Sequence, residues 1–295
     1  MTQPDLGRVG VWGHLDSLAA PDAIAYARRA EALGYGTLWV PETVGREPFT
    51  FLGLLAGSTS SINLGTSIVG IWGHDAQTTR MASMTLTEAS DGRFVLGLGV
   101  SHPHLATKLR GHAFDRPLSR MREYLAGYRT AVYRGPAAVG AAEPPVFLAA
   151  LRERMTDLAA TDADGALPYL VTPERVRWMR ERLNAAAPDR RLAVTLPVVI
   201  GRPDDREAAR AYLKPYLRTP TYRASWELQG FDASDWEPPG SDRLVDAMVA
   251  SGSVEAARAR IDEMRSAGAD HVAIIPLTAD GTTENEATLV ELADS

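Results

Sequence analysis

The feature that most constrains the fold is an alternation running the length of the chain: short runs rich in β-branched and apolar residues, each separated from the next by a gap long enough for a helix. Eight strands are expected, at residues 8–12, 37–40, 62–69, 93–99, 146–149, 165–170, 193–200 and 270–275. Between the first two, Ala23, Ala27, Ala30 and Leu33 mark one helical face, with Pro21 near its start and Gly34 where a helix stop belongs. The last helix repeats the plan with Val254, Ala257, Ile261 and Met264 behind a capping Ser253. Strand and helix in strict alternation imply a parallel sheet of the α/β class, and eight repeats favour a closed (β/α)8 TIM barrel over an open doubly wound sheet. One domain spanning 1–295 accommodates this. The irregular stretch is 202–250, between the seventh and eighth strands; it holds Trp226, Trp236 and an apolar helix over 244–249, and reads as an ordered helical insertion.

Composition removes several function classes. With 31 Lys and Arg against 37 Asp and Glu, the net charge is −6, and no basic stripe is interleaved with aromatics, so no nucleic-acid partner is expected. The chain has no Cys, which excludes disulfides, a thiolate nucleophile and Cys-ligated metal, and fits a reducing cytoplasm. The first residues lack a basic segment followed by an apolar run, and no later stretch is long and apolar enough to span a bilayer. A small-molecule substrate, with no membrane partner, is the expectation that remains.

In a barrel, chemistry gathers at the C-terminal strand ends. The first strand delivers Trp12 and His14. The second delivers Pro41 and Glu42, then a loop with Arg46 and Phe49. The third delivers Ser67, Ile68, Gly70 and Trp72, and the fourth Ser101, His102 and His104. Gly97 and Gly99 imitate a dinucleotide fingerprint, but its sixth position is His102 and Gly97 lies inside the strand, so small residues that let a flat ligand approach are the simpler reading. His102 and His104 would need a third ligand to hold a metal, and none is expected. His102, with an ordinary pKa near neutrality, suits an acid, a base or a cofactor contact. Glu42 is either a desolvated proton donor or half of an ion pair with Arg46 or Arg80. Trp12, His14, Arg46, Phe49 and Trp72 are candidate walls of a substrate pocket. Ala149, Ala150 and Arg152 follow the fifth strand. After the sixth, Thr172 can cap a helix that begins at Pro173, and such a start also attracts anions.

Four segments carry a resemblance. They are Glu31-Ala32-Leu33-Gly34-Tyr35-Gly36-Thr37-Leu38-Trp39-Val40-Pro41-Glu42, then Leu64-Gly65-Thr66-Ser67-Ile68, the run 91–101, and Ala267-Gly268-Ala269-Asp270-His271-Val272. Together they resemble the bacterial-luciferase-like superfamily in its F420 (deazaflavin)-dependent branch. The resemblance implies a deazaflavin ring, or FMN in its place, over the strand ends, with its phosphate arm near the loops after strands five and six. It implies a non-prolyl cis peptide at Ser67–Ile68 and cofactor contacts from Pro41, Ser67, Ile68, Gly70, Ser101, His102, Ala149, Ala150, Arg152, Thr172 and Pro173. Glu42 and His102 fall near positions of proton transfer, with the two residue types exchanged relative to some members. Many relatives have glycines where this chain reads Ala149-Ala150-Leu151-Arg152. The implied activity is hydride transfer between C5 of the deazaflavin and a small organic substrate, most simply reduction of a C=C or C=N bond, in a cytoplasmic homodimer. The alternatives are an FMN-dependent monooxygenase and a non-catalytic flavin-binding barrel on the same fold.

Overall fold

The computed structural model describes residues 3–137, 143–201, 205–278 and 280–293. Its strands are β1 (Val9–Trp12), β2 (Thr37–Val40), β3 (Asn63–Thr66), β4 (Val69–Gly70), β5 (Phe94–Gly99), β6 (Val146–Ala149), β7 (Gly165–Leu167), β8 (Arg191–Ile200), β9 (Ala250–Gly252) and β10 (His271–Pro276). The pairing runs β10-β1-β2-β3-β5-β6-β7-β8, all parallel, and closes through β8 against β10, where Ala193 sits beside His271. The result is an eight-stranded (β/α)8 barrel. Helices α1 (Ala20–Ala32), α2 (Pro48–Ala56), α3 (Ala76–Ala89), α4 (Pro117–Thr130), α5 (Glu153–Asp162) and α6 (Pro173–Ala186) cover its outside. Beyond β8 come α7 (Asp205–Leu213), α8 (Pro220–Glu227), α9 (Ala233–Trp236) and α10 (Asp242–Met248), then α11 (Val254–Ser266) and, after β10, α12 (Glu286–Glu291).

The barrel interior is a packed core rather than a pore. Trp39, Val95, Phe147, Leu167, Ala193 and Ala273 meet there above the buried Leu6. Large and small residues alternate to fit: a Cβ on Gly65 would stand 2.4 Å from the Trp39 ring, and one on Gly10 2.6 Å from the His271 imidazole. At the floor, Trp39 Nε1 donates to His271 Nε2 at 3.0 Å, and His271 Nδ1 lies 2.8 Å from the Gly7 carbonyl. The imidazole is completely buried, and burial holds its pKa down at about 4.

Several boundaries differ from the sequence reading. The third strand, expected over 62–69, is split into β3 and β4 by a cis peptide at Ser67–Ile68, which the resemblance had led us to expect there. The sixth strand stops at Leu167 rather than residue 170: Pro168 supplies no ladder donor, and Leu170 adopts a left-handed φ of 54°. The stretch expected as an insertion is helical from Asp205 to Met248, while 202–204 lie outside the described residues. It ends in a strand that was not expected: β9 pairs with the end of β8, Val198 to Ala250. Its helices enclose an apolar cluster that includes Tyr212, Leu217, Tyr222, Trp226 and Trp236, with Val199 and Ile275 contributed by the barrel.

Candidate functional site

Two chemically different groups of side chains stand beyond the C-terminal strand ends. On the side of β2 to β5, Glu42 leaves the end of a fully buried strand, with its side chain only 8% exposed. One carboxylate oxygen accepts the Gly70 amide at 2.6 Å; the other takes His74 Nε2 at 3.1 Å and the Arg110 guanidinium. Burial pushes this carboxyl up, but the hydrogen bonds from His74 and Gly70 and the charges of His74 and Arg110 outweigh it, and the net shift is downward. The upward shift that a proton donor would need is therefore absent, and the ion-pair reading holds with a different partner. Arg46 instead bonds the Leu18 carbonyl and lies over Phe51, and Arg80 pairs with Glu143.

The cis Ser67–Ile68 bond adjoins this group, the Ile68 carbonyl accepting the Glu42 amide at 3.2 Å. Ser67 takes Trp12 Nε1 on its carbonyl at 3.0 Å, and Ile68 packs so tightly over Gly99 that a Cβ there would come within 2.6 Å of its side chain. Pro41 is half-buried beside Glu42, and Gly70 gives Glu42 its amide. Trp72 bonds the Val100 carbonyl and meets His112 and Phe114, while Ser101 turns the chain at φ 54°. The space bounded by Glu42, Trp72, Ser101 and Arg110 holds no more than about one water in volume, because a short π-type turn, Leu105–Leu109, closes over it. Phe49 is not part of this cleft: it is core, edge-on to His74 and tilted against Phe94. His14 stacks on Trp12 and reaches toward Thr43 and Asp16.

The second group is aromatic and begins at His102, the residue after Ser101 beyond β5. His102 stacks on His104, with ring centres 5.9 Å apart and planes within 9°, and its other neighbour is Tyr222 of α8 at 5.7 Å. Its Nδ1 is buried with no hydrogen-bond partner among the described residues. Burial and then His104 hold its pKa below the ordinary histidine value, so the ring is neutral at pH 7. No group of three metal-ligating side chains occurs among the described residues, and His102 with His104 does not gather a third.

A cavity of about 590 Å³ opens beyond β6 and β7. Thr172 caps α6 by accepting the Arg175 amide at 3.3 Å and donates its own amide to Gln229, and Pro173 fills the first helical position. Ala150 is buried, Ala149 is half-buried at the end of β6, and Arg152 stands exposed before α5. The residue that sequence reading missed is Arg175. Its guanidinium lies 3.7 Å over Trp178 and bonds the Leu151 carbonyl, yet its Nε is buried without a partner, whereas neighbouring Arg182 is paired with Glu153 and Asp157. An arginine in the first turn of a helix opposes the helix dipole, and that misplacement was the available signal. Glu153 and Glu174 line the same cavity, so what favours a phosphate there is the unbonded Nε of Arg175 beside the start of α6. His74 and Arg110, which hold Glu42, carried no comparable signal.

A family model for luciferase-like monooxygenases matches residues 5–271. A protein of Mycobacterium tuberculosis (strain ATCC 25618 / H37Rv), provisionally named a coenzyme F420-dependent oxidoreductase, is 29% identical over 279 residues, covering 82% of this chain and 79% of its own. Among solved structures, an F420-dependent secondary alcohol dehydrogenase in complex with an F420-acetone adduct superposes with a TM-score of 0.74, over 98% of each chain at 13% identity. EDTA monooxygenase from Chelativorans sp. BNC1 gives 0.73, over 96% of this chain and 92% of its own, also at 13% identity. At such identities the barrel is what is shared.

Proposed function

The chain belongs to the luciferase-like monooxygenase family, and on that premise we propose that it is an F420-dependent oxidoreductase. It would transfer a hydride between the reduced deazaflavin and a small organic substrate, reducing a C=C or C=N bond. The choice of F420 over FMN is supported by the relative from M. tuberculosis. The observation that carries cofactor binding is the cavity in which Arg175, its Nε without a hydrogen-bond partner, meets the Thr172-capped start of α6. Thr172, Arg175 and the first turn of α6 would hold the phosphate, with Ala149, Ala150 and Arg152 beside them. Pro41, Ser67, Ile68, Gly70 and Ser101 would border the ring.

When bound, a reduced deazaflavin supplies a hydride from C5 and is left oxidised, and a proton completes the two-electron reduction. The chain's own contribution is position and proton control. Ionised Glu42 keeps His74 and Arg110 in place. Neutral His102, in the loop after β5, would exchange a proton with the substrate. Trp12 and Trp72 wall the mouth and limit water. The working unit is a cytoplasmic homodimer in this reading, with residues 1–295 as one domain.

Parallel titration of the apoprotein with F420 and FMN tests the proposal. F420 is expected to bind the more tightly. Equal or tighter FMN binding moves the protein to the monooxygenase reading, and binding without turnover of any reducible substrate to the non-catalytic one.

A further inference from the structure

The loop between Ser101 and Arg116 leaves β5 and returns at α4, and both of these flanking residues are left-handed, with φ 54° and 40°. Inside it the polar groups bond to one another. The His102 carbonyl accepts the Leu105 and Ala106 amides, the Thr107 carbonyl the Gly111 amide, and the Ala106 carbonyl the His112 amide, while the Thr107 hydroxyl donates to Pro103. Among the described residues, a single hydrogen bond joins 102–114 to the rest of the protein, from Arg110 to Glu42. The guanidinium lies so close to Gly73 that a Cβ there would stand 2.4 Å from Nη1. Beneath the turn, Leu105, Ala106, Leu109 and Arg110 meet Glu42, Gly70, Trp72 and Ser101 around a space of about one water. Pockets for ring-sized ligands run to about 300 Å³ or more, so the strand ends that would border the ring are roofed over.

We infer that residues 102–115 form a lid over the strand ends and that the Arg110–Glu42 pair is its latch, which parts to admit the ring of the cofactor. The inference deepens the deazaflavin reading and rests on it for what enters. Removing one partner of a buried pair is costly when it leaves the other charge bare. Here it does not: Glu42 keeps the Gly70 amide and His74, and the Arg110 side chain, already 29% exposed, passes into water. The bonds inside the loop are untouched by this parting, so the lid moves as one piece. Its other holds are contacts without hydrogen bonds: buried Ala106 under the turn, His102 against Tyr222, and Trp72 against His112 and Phe114. Left-handed non-glycine residues recur at switch segments, and here they stand at both ends of one.

The chain has no Cys, so Ala106→Cys places a single thiol beneath the turn. Its labelling by N-ethylmaleimide, followed by mass spectrometry on the apoprotein, reads opening without cofactor. Adding Arg110→Met removes the guanidinium and keeps the stem; adding Gly73→Ala instead pushes the flexible guanidinium aside and keeps Arg110. Each is expected to speed labelling roughly tenfold or more, what the loss of one hydrogen bond to a charged group is worth. A thiol at Ala159→Cys, fully buried in α5, should label at an unchanged rate, which separates lid opening from general loosening. Thermal melts confirm that the variants are folded. Unchanged labelling at Ala106→Cys, or equal acceleration at both thiols, overturns the latch. Stopped-flow mixing with F420 then reads the gate, and Arg110→Met should raise the association rate constant severalfold, since a conformational step that precedes binding slows it. An association rate left at the wild-type value while the lid labels faster overturns the gating. Failure of F420 to bind any of these proteins while labelling accelerates overturns the cofactor reading and leaves the latch intact.

Discussion

His271 is held neutral at the barrel floor by burial, although its bond to the Gly7 carbonyl pulls the other way; that bond and the one from Trp39 fix the ring in place. Its folded pKa of about 4 lies below the ordinary value of 6.5, so the unfolded chain takes up the proton first as pH falls. Stability is full above pH 6.5 and is lost as pH drops through that window toward 4, by about 3 kcal/mol in total from this residue. Urea unfolding at pH 7 and pH 4.5 should show the loss in the wild type and a much smaller one in His271→Gln. A second titration belongs to the mouth. His102 also has a lowered pKa, so if it carries the proton, the reduction rate should climb as pH falls below 6.5. His102→Ala should flatten that profile and cut turnover by about 10²-fold while F420 affinity changes less. A profile unchanged in the variant would place the proton elsewhere. Neither shift could be read from sequence, because each depends on what packs around the ring: Asp270-His271 looked like an ordinary strand start.

At the scale of elements, what could be read locally was read well. Residues 37–40 and 146–149 stand as β2 and β6, Gly34 takes the left-handed φ of 82° expected past α1, and Ser253 and Thr172 cap α11 and α6. Apart from the sixth strand, cut short locally at Pro168, the larger misses are non-local. Ala250-Ser251-Gly252 has little strand propensity and becomes β9 only because the end of β8 offers it a ladder. Arg110 approaches Glu42 across 68 residues, and Tyr222 reaches His102 from a helix whose sequence shows no spacing that would announce it. The two caps provide a matched pair of tests. Thr172→Ala and Ser253→Ala should each cost about 1 kcal/mol in denaturant unfolding. Only Thr172→Ala should also weaken F420 binding by calorimetry, since only that helix start opens on the cavity with Arg175. Equal affinity in both variants would reduce Thr172 to a cap.

Taken whole, the molecule separates a floor that fixes the fold from a mouth that carries chemistry. Arg191 ties the floor to the N-terminal segment through the Pro4 carbonyl, and Leu6 and Trp39 fill the space above it. Gly65→Ala would press a methyl into the Trp39 ring and should cost about 1–3 kcal/mol in urea unfolding, with F420 affinity unchanged. A parallel loss of affinity would show that floor and mouth are coupled. The six tryptophans divide along the same line. Trp39, Trp226 and Trp236 are buried, while Trp12, Trp72 and Trp178 border the mouth or the neighbouring cavity. Indole emission responds to local polarity and to nearby quenchers, so the protein carries its own optical reporters: three lamps shielded from the solvent serve as a constant reference, and three others change colour or dim according to which end of a ligand has arrived.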